Sequence, residues 1–242
     1  EIEKTAIRKD HKTVMTDIIG SAPYYQWGRK DPFIRINYTE KRELDESEYS
    51  IHSTISKPIT QAAGPKAINV GIQNPTYIYY YDGKSYTWHT PIYPNLWSAA
   101  NTKYASSSTG YSSAPIKTVY DPCPAGYQIP QGDAFTGFTS TGGTVKSTSQ
   151  FNVSSTTYNK GWNFYTGGWK TGGTIFIPAL TARASSTGTI TFGDVEKYCY
   201  TVTAVPYQTT GTAYALYFTN SEIRGLSYHS MSGGYTVLPA QE

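Results

Sequence analysis

Tyr198-Cys-Tyr-Thr-Val-Thr203 and Ala213-Tyr-Ala-Leu-Tyr-Phe218 decide the fold class. Both are short runs of β-branched and aromatic residues, side chains that fit a pleated, half-buried surface. The same character recurs in Gly161-Trp-Asn-Phe-Tyr165, Thr174-Ile-Phe-Ile-Pro178 and Gly188-Thr-Ile-Thr-Phe-Gly193. Glycine pairs at 142–143, 167–168, 172–173 and 233–234 mark turns between such runs. Gly234-Tyr-Thr-Val-Leu-Pro239 predicts a closing strand that brings the C-terminus back to the sheet, and Thr13-Val-Met-Thr-Asp-Ile-Ile19 predicts an opening strand closed by Gly20-Ser-Ala-Pro23. Ala67-Ile-Asn-Val-Gly-Ile72 predicts a further strand. Thr76-Tyr-Ile-Tyr-Tyr-Tyr81 and Ser85-Tyr-Thr-Trp88, with Asp82-Gly83 between them, predict a hairpin.

Helix has few places to form. Asp133 can cap a short helix over Ala134–Phe138, and parts of 40–48 and 95–101 carry no competing strand or turn signal. The expectation is therefore an α+β, mostly β chain with less than about 20 % helix. Residues 34–66 are expected to leave the core. The mixed-sign run Glu40-Lys-Arg-Glu-Leu-Asp-Glu-Ser-Glu48 reads there as a solvated loop or short helix. Leu96 to Pro115, low in complexity, reads as a surface loop. The aromatic segment Tyr24–Phe33 is expected to fold back into a core made of Tyr25, Trp27, Phe33, Tyr120, Ile129, Phe135, Trp162, Phe176 and Ile177.

The 242 residues fit one principal domain. Charged residues make up 15 %, and the net charge of +3 is scattered, so the chain lacks the clustered basic face of a nucleic-acid binder. No apolar stretch is long enough to span a membrane as a helix. The opening Glu1-Ile-Glu-Lys4 is no signal peptide and reads as the start of a mature product or a fragment. His11, His52, His89 and His229 are too far apart in sequence for a zinc-ligand spacing, and no nucleophile elbow, phosphate loop or dinucleotide fingerprint occurs. Asp82, Asp121, Asp133, Asp194 and Glu222 lie near aromatic or glycine-rich runs, but a hydrolytic pair requires two of them to face each other, which spacing does not establish.

Cys123 and Cys199 have neither metal-site nor redox-motif spacing. They are either one long-loop disulfide, worth about 4 kcal/mol, or two separate buried thiols. Pro122 and Pro124 flank Cys123, and no histidine lies within thirty residues, a setting for a packing thiol rather than a reactive one.

The 23 tyrosines suit a binding face, because each ring offers an apolar body and a polar tip. Sugars stack their apolar faces on such rings. Tyr79, Tyr81 and Trp88 around the Asp82-Gly83 turn, with Tyr77 beside them, are candidate ligand contacts, as are Trp97 and Trp169 in loops. In alternating strands half of these rings face the core.

Several strings together carry a family resemblance: Tyr25-Gln-Trp-Gly-Arg-Lys-Asp-Pro-Phe33, Ile72-Gln-Asn-Pro75, Asn95-Leu-Trp97, Lys117-Thr-Val-Tyr-Asp-Pro-Cys-Pro-Ala-Gly-Tyr127 with Ile129-Pro130, Ala134-Phe-Thr-Gly-Phe138 and Ile177-Pro-Ala179. They resemble the domain family named for the major paralogues of Fibrobacter succinogenes, found at the C-terminus of fimbrillin-like lipoproteins of Bacteroides and relatives. The resemblance covers residues 24 to about 240. It implies a C-type lectin-like, twisted antiparallel core with one or two short helices and long loops, over residues 21–242, with 1–20 a linker or the end of a preceding domain. Cys199 stands where relatives carry an aromatic residue, and the triplets that hold sugar-bound calcium in many lectins are missing.

The function implied is a non-catalytic module of cell adhesion or of a pilus (fimbrium), binding a glycan or a protein partner, other pilin subunits included. It would be secreted to the cell surface, outer membrane or fimbrium, without cofactor or metal. The alternatives are a soluble carbohydrate-binding component of a glycan-uptake system and an enzyme built on the lectin-like scaffold.

Overall fold

The computed structural model describes residues 23–33, 60–102, 104, 111–190, 196–207 and 211–242, and the backbone alone for 2–7, 13–20, 35–44 and 47–56. The chain is mostly β, with 36 % strand against 7 % helix. It starts with β1 (Ile2–Ile7) and β2 (Thr13–Gly20), passes β3 (Tyr25–Gln26), and continues into β4 (Arg35–Leu44) and β5 (Ser47–Ser56). β1, β2, β4 and β5 form one antiparallel sheet in that order. The segments on either side of residue 20 thus share a sheet.

The charge run at 40–48 is no loop or helix, contrary to expectation: its first half lies on β4 and Ser47–Glu48 on β5, with Glu43 opposite Glu48. Flanking β-formers decide this. Ile36 pairs opposite Ile55 in the register of these two strands.

Next come β6 (Thr60–Ala63), the helix α1 (Ile68–Gln73) and β7 (Tyr77–Tyr80). Here two strand expectations fail. Residues 68–73 coil into α1 because Gly71 packs under Trp88, where a Cβ would lie 2.5 Å from the indole, and because Arg29 collects the carbonyls at the helix end. The hairpin at Asp82-Gly83 does not form either. The turn is present, with Asp82 Oδ1 accepting from the Lys84 and Ser85 amides, but β7 pairs in parallel with β6 and Trp88 turns inward to donate to the Trp27 carbonyl.

The rest of the chain supplies β8 (Tyr127–Gln128), β9 (Thr144–Val145), β10 (Gly161–Tyr165), β11 (Thr174–Pro178), β12 (Cys199–Tyr207), β13 (Thr212–Phe218), β14 (Ile223–Ser230), β15 (Gly234–Tyr235) and β16 (Ala240–Gln241). The predicted strands at 161–165, 174–178, 198–203 and 213–218 are all present. The run at 188–193 lies partly outside the described residues. At the C-terminus β15 pairs with β3 and β16 with β8, so the chain end does return to the body. Asp133 caps no helix with its side chain. Its carbonyl accepts from the Thr136 amide, and the helical turn is the 3-10 turn Thr136–Phe138.

β12, β13, β14 and β9 form one antiparallel sheet in that order, and it is buried on both faces. Successive side chains on a strand point to opposite faces. Cys199, Leu216, Phe218 and Ile223 accordingly enter one core with Phe135, Phe151, Trp162, Phe164 and Ile177, while Val202, Ala204 and Ala213 enter a second with Trp27, Trp97, Cys123, Ile129 and Met231. Pro206 is accommodated because β12 is an edge of this sheet and the register shifts between Val202 and Pro206.

Of the expected core residues, Trp27, Phe33, Ile129, Phe135, Trp162 and Ile177 are buried, and Tyr25 and Tyr120 are half-buried. Phe176 is 46 % exposed: along β11 only Ile177 is buried, and Thr174, Ile175 and Phe176 are open to solvent. The expected loop from Leu96 onward also needs correcting: Leu96, Trp97, Ser98 and Asn101 are buried, and Asn101 donates to the Ala204 carbonyl, whereas 105–110 lie outside the described residues.

The two cysteines are separate thiols, one in each core. Burial pushes both up to about 12, and the Asp121 carboxylate adds to the effect on Cys123. Asp121 shapes this loop by accepting from the Cys123 and Ile129 amides at 2.7 and 2.9 Å. Lys117 Nζ locks it from the other side, donating to the carbonyls of Cys123, Pro124 and Tyr127.

Two outcomes follow. In urea unfolding, Trp162→Ala costs about 3–5 kcal/mol while Phe176→Ala costs less than about 1, since only the first empties a core site; equal losses would contradict the two-faced packing. Iodoacetamide at neutral pH leaves both native thiols unlabelled over the time in which the urea-unfolded chain is labelled to completion, and rapid native labelling of Cys123 would show an open thiol.

Candidate functional site

The sheet face that carries Val202 and Ala204 continues outward into tyrosines. Tyr200 lies opposite Tyr217 in the β12–β13 register, Ala213 opposite His229 in the β13–β14 register, and Tyr235 comes in on β15. Tyr200 is the hub, with ring centroids 5.0 Å from Tyr217, 4.8 Å from His229, 6.2 Å from Tyr235 and 6.5 Å from Tyr198. His229 also sits 5.9 Å from Tyr235. These rings support one another as a wall.

Facing the wall is the chain segment 181–186, and between them lies a cleft of about 420 Å³ lined by Thr181, Arg183, Ser185, Ser186, Tyr198, Tyr200, His229 and Tyr235 among others. The segment is pinned along its length. The Thr181 amide donates to the Tyr198 carbonyl, Arg183 and Gly234 exchange backbone bonds, and the Ser185 carbonyl accepts from the Tyr81 amide and the Ser232 hydroxyl. Gly233-Gly234 permits this approach, because a Cβ at 233 would overlap the Tyr235 phenol and one at 234 would lie 3.0 Å from Arg183 Cβ. Thr181 itself holds φ at 57°, a left-handed conformation that costs a β-branched residue about 1–3 kcal/mol and is found mostly at functional sites.

The electrostatics of the wall are those of neutral groups. Burial, with the Arg224 guanidinium adding to it, lowers His229 to about 4, so the imidazole is uncharged at neutral pH, with Nε2 3.3 Å from the Ser227 hydroxyl. Burial raises Tyr235, whose hydroxyl donates to the Ser230 carbonyl. Arg224 lies over the Tyr217 ring at 4.9 Å and is paired through two bonds with Glu222. Arg183 is turned inward, donating to the Gly188 carbonyl and lying 5.9 Å from the Tyr24 ring. The hydroxyls of Tyr198, Ser185 and Ser186, by contrast, line the cleft without a hydrogen-bond partner among the described residues.

The residues expected to contact a ligand fare differently. Tyr79, Trp88 and Trp97 are buried: Tyr79 stacks on Trp88, and the two indoles donate to the carbonyls of Trp27 and Arg29. They are packing residues and offer no open face. Trp169 is 44 % exposed with Lys170 over its ring, on the turn between β10 and β11 and not in the cleft lining. Tyr81 alone comes near, through its bond to Ser185, and stacks on the exposed Tyr86 at 4.9 Å. Tyr77, half-buried, stacks on Tyr79.

The wall residues Tyr198, Tyr200, His229 and Tyr235 escaped sequence reasoning. The Tyr198-Cys-Tyr200 spacing held the one available signal, two rings on one face of a strand. His229 and Tyr235 are gathered by pairing that local pattern does not reveal.

Among the described residues no three His, Cys, Asp or Glu side chains gather as a metal-ligand set, and no described helix is long and apolar enough to cross a membrane. Compared with protein-family models, curated proteins and solved structures, the chain matches none.

His89 shares the behaviour of His229: it is fully buried, its Nδ1–H donates to the Pro91 carbonyl, and burial lowers it to about 4. The unfolded chain takes up a proton on each ring below about 6.5, and the folded chain resists until about 4. Their stabilisation is therefore complete above pH 6.5 and lost as pH falls towards 4, with His89 alone contributing on the order of 3 kcal/mol. Ring-nitrogen NMR of the folded protein should show both histidines neutral at pH 5.5. A titration midpoint above 6 for either would contradict its burial.

Proposed function

We propose that this chain is a non-catalytic recognition module of the cell surface, of adhesion or pilus type, and that its ligand occupies the cleft between the tyrosine wall and the segment 181–186. The observation that carries this is the wall itself: Tyr198, His229 and Tyr235 packed around Tyr200, His229 edge to face and the two tyrosines tilted, beside hydroxyls that have no hydrogen-bond partner among the described residues. Rings fixed by their neighbours lose little freedom when a ligand arrives, so their contact area is converted into affinity efficiently. The groups around the cleft suit binding more than proton transfer. The imidazole is far from charging at neutral pH, and the Glu222 carboxylate is held by Arg224.

Support for the surface role comes from the Asp121-Pro-Cys-Pro-Ala-Gly126 segment and its resemblance to the C-terminal domains of fimbrillin-like lipoproteins, with the C-type lectin-like core that this implies. The mostly β chain with short helices agrees with such a core. Cys123, buried and raised to about 12, is a packing residue in this scheme.

Fluorescently labelled protein should bind immobilised glycans or epithelial and bacterial surfaces in a saturable way. Ser186 is an exposed lining residue, so Ser186→Trp fills the cleft without disturbing the core. The expected result is at least a tenfold loss of binding with an unchanged Tm, and Trp169→Ala should leave binding intact. Full binding by Ser186→Trp would place the ligand elsewhere.

A further inference from the structure

The chemistry of the cleft narrows the ligand class. We infer that it holds the terminal one or two pyranose rings of a glycan, an assignment that rests on the cleft being the ligand site. Size comes first. At about 420 Å³ the cleft lies near the lower end of small-molecule sites, which run from about 300 to 1,000 Å³, so it accommodates a chain end and not a long stretch of polymer.

The two sides of the cleft match the two kinds of surface on a sugar ring. Tyr198 and Tyr200, both half-buried, give aromatic area for its C–H face, while the hydroxyls of Tyr198, Ser185 and Ser186, without a hydrogen-bond partner among the described residues, can both donate to and accept from its hydroxyl groups.

An extended peptide fits less well. A strand that adds to a sheet needs a row of unpaired backbone groups. Here the Thr181, Arg183 and Ala184 amides and the Arg183, Ala184 and Ser185 carbonyls are already bonded within the protein. The strain at Thr181 falls on the same segment, which fits a wall shaped for a ligand.

The test uses the whole chain and defined probes: the methyl glycosides of glucose, galactose, mannose and N-acetylglucosamine, with methyl glucuronide and sialic acid as charged counterparts. Binding is followed by NMR shifts of labelled tyrosine and histidine rings. At least one of these sugars should bind saturably, shift Tyr198, Tyr200 and His229, and lose at least tenfold in affinity in Ser186→Trp. Saturable binding by none of them, or shifts confined to rings outside the cleft, would overturn the inference. The two levels separate cleanly. If Ser186→Trp abolishes binding to surfaces but none of these sugars competes, the sugar assignment fails and the cleft stands; if Ser186→Trp leaves surface binding unchanged, the cleft itself is the wrong site.

Discussion

Everything at the cleft depends on one constraint, the alternation of side chains across a sheet that is buried on both faces. In β12, Cys199 points to the core around Trp162 and Phe164, while Tyr200, Val202 and Ala204 point to the opposite side. The same rule places Tyr217 between the inward Leu216 and Phe218, and His229 next to Tyr228 but on the other face. A slip of one residue in either register would reverse each of these choices. Two cores resist that slip, since each would have to exchange its large apolar side chains for polar ones. The aromatic wall is thus a by-product of packing that is enforced for other reasons, and its rings are held without help from a ligand.

The second core is in turn anchored by a buried cation. Arg29 is 5 % exposed, lies between the rings of Phe33 and Trp88, and donates to the carbonyls of Tyr77, Gly71, Asn74 and Pro75. Burial lowers it to about 10, which still leaves it charged at neutral pH. Five donors in a fixed plane can satisfy several carbonyls that no strand partner reaches, so one side chain ends α1 and positions the start of β7. Its own carbonyl accepts from the Trp97 indole, which ties the loop beyond residue 95 to the same point. Irregular chain is held in the interior by specific polar bonds, with few helices to do the work.

These features explain what the sequence disclosed and what it hid. Strands whose β-formers sit in strands of the main sheet, such as 198–203 and 213–218, were legible because burial on both faces selects for those residues directly. The region 67–88 misled, since Ile68, Val70 and Ile72 alternate as in a strand and Asp82-Gly83 sits between aromatic runs as in a hairpin. Long-range partners decided otherwise, Arg29 and Trp88 for the helix and β6 for β7. Three of the rings expected to meet a ligand, Tyr79, Trp88 and Trp97, are buried for a related reason. A tryptophan beside a turn or in a loop reads as available until its indole N–H is seen to close on a distant carbonyl, as Trp88 and Trp97 do. The cleft draws residues from 181 to 235, and only the Tyr198-Cys-Tyr200 spacing announced any of it locally.

The claim that registers build the wall is tested most directly by proximity in solution. In a chain with labelled histidine and tyrosine rings, nuclear Overhauser contacts are predicted between the His229 ring and those of Tyr200 and Tyr235, whose centroids lie 4.8 and 5.9 Å away, in the absence of any ligand. Contacts from His229 to Tyr207 or Tyr214 instead, the rings that belong with Tyr228 on the other face, would mean that β14 is paired one residue out of register, and the wall would not exist.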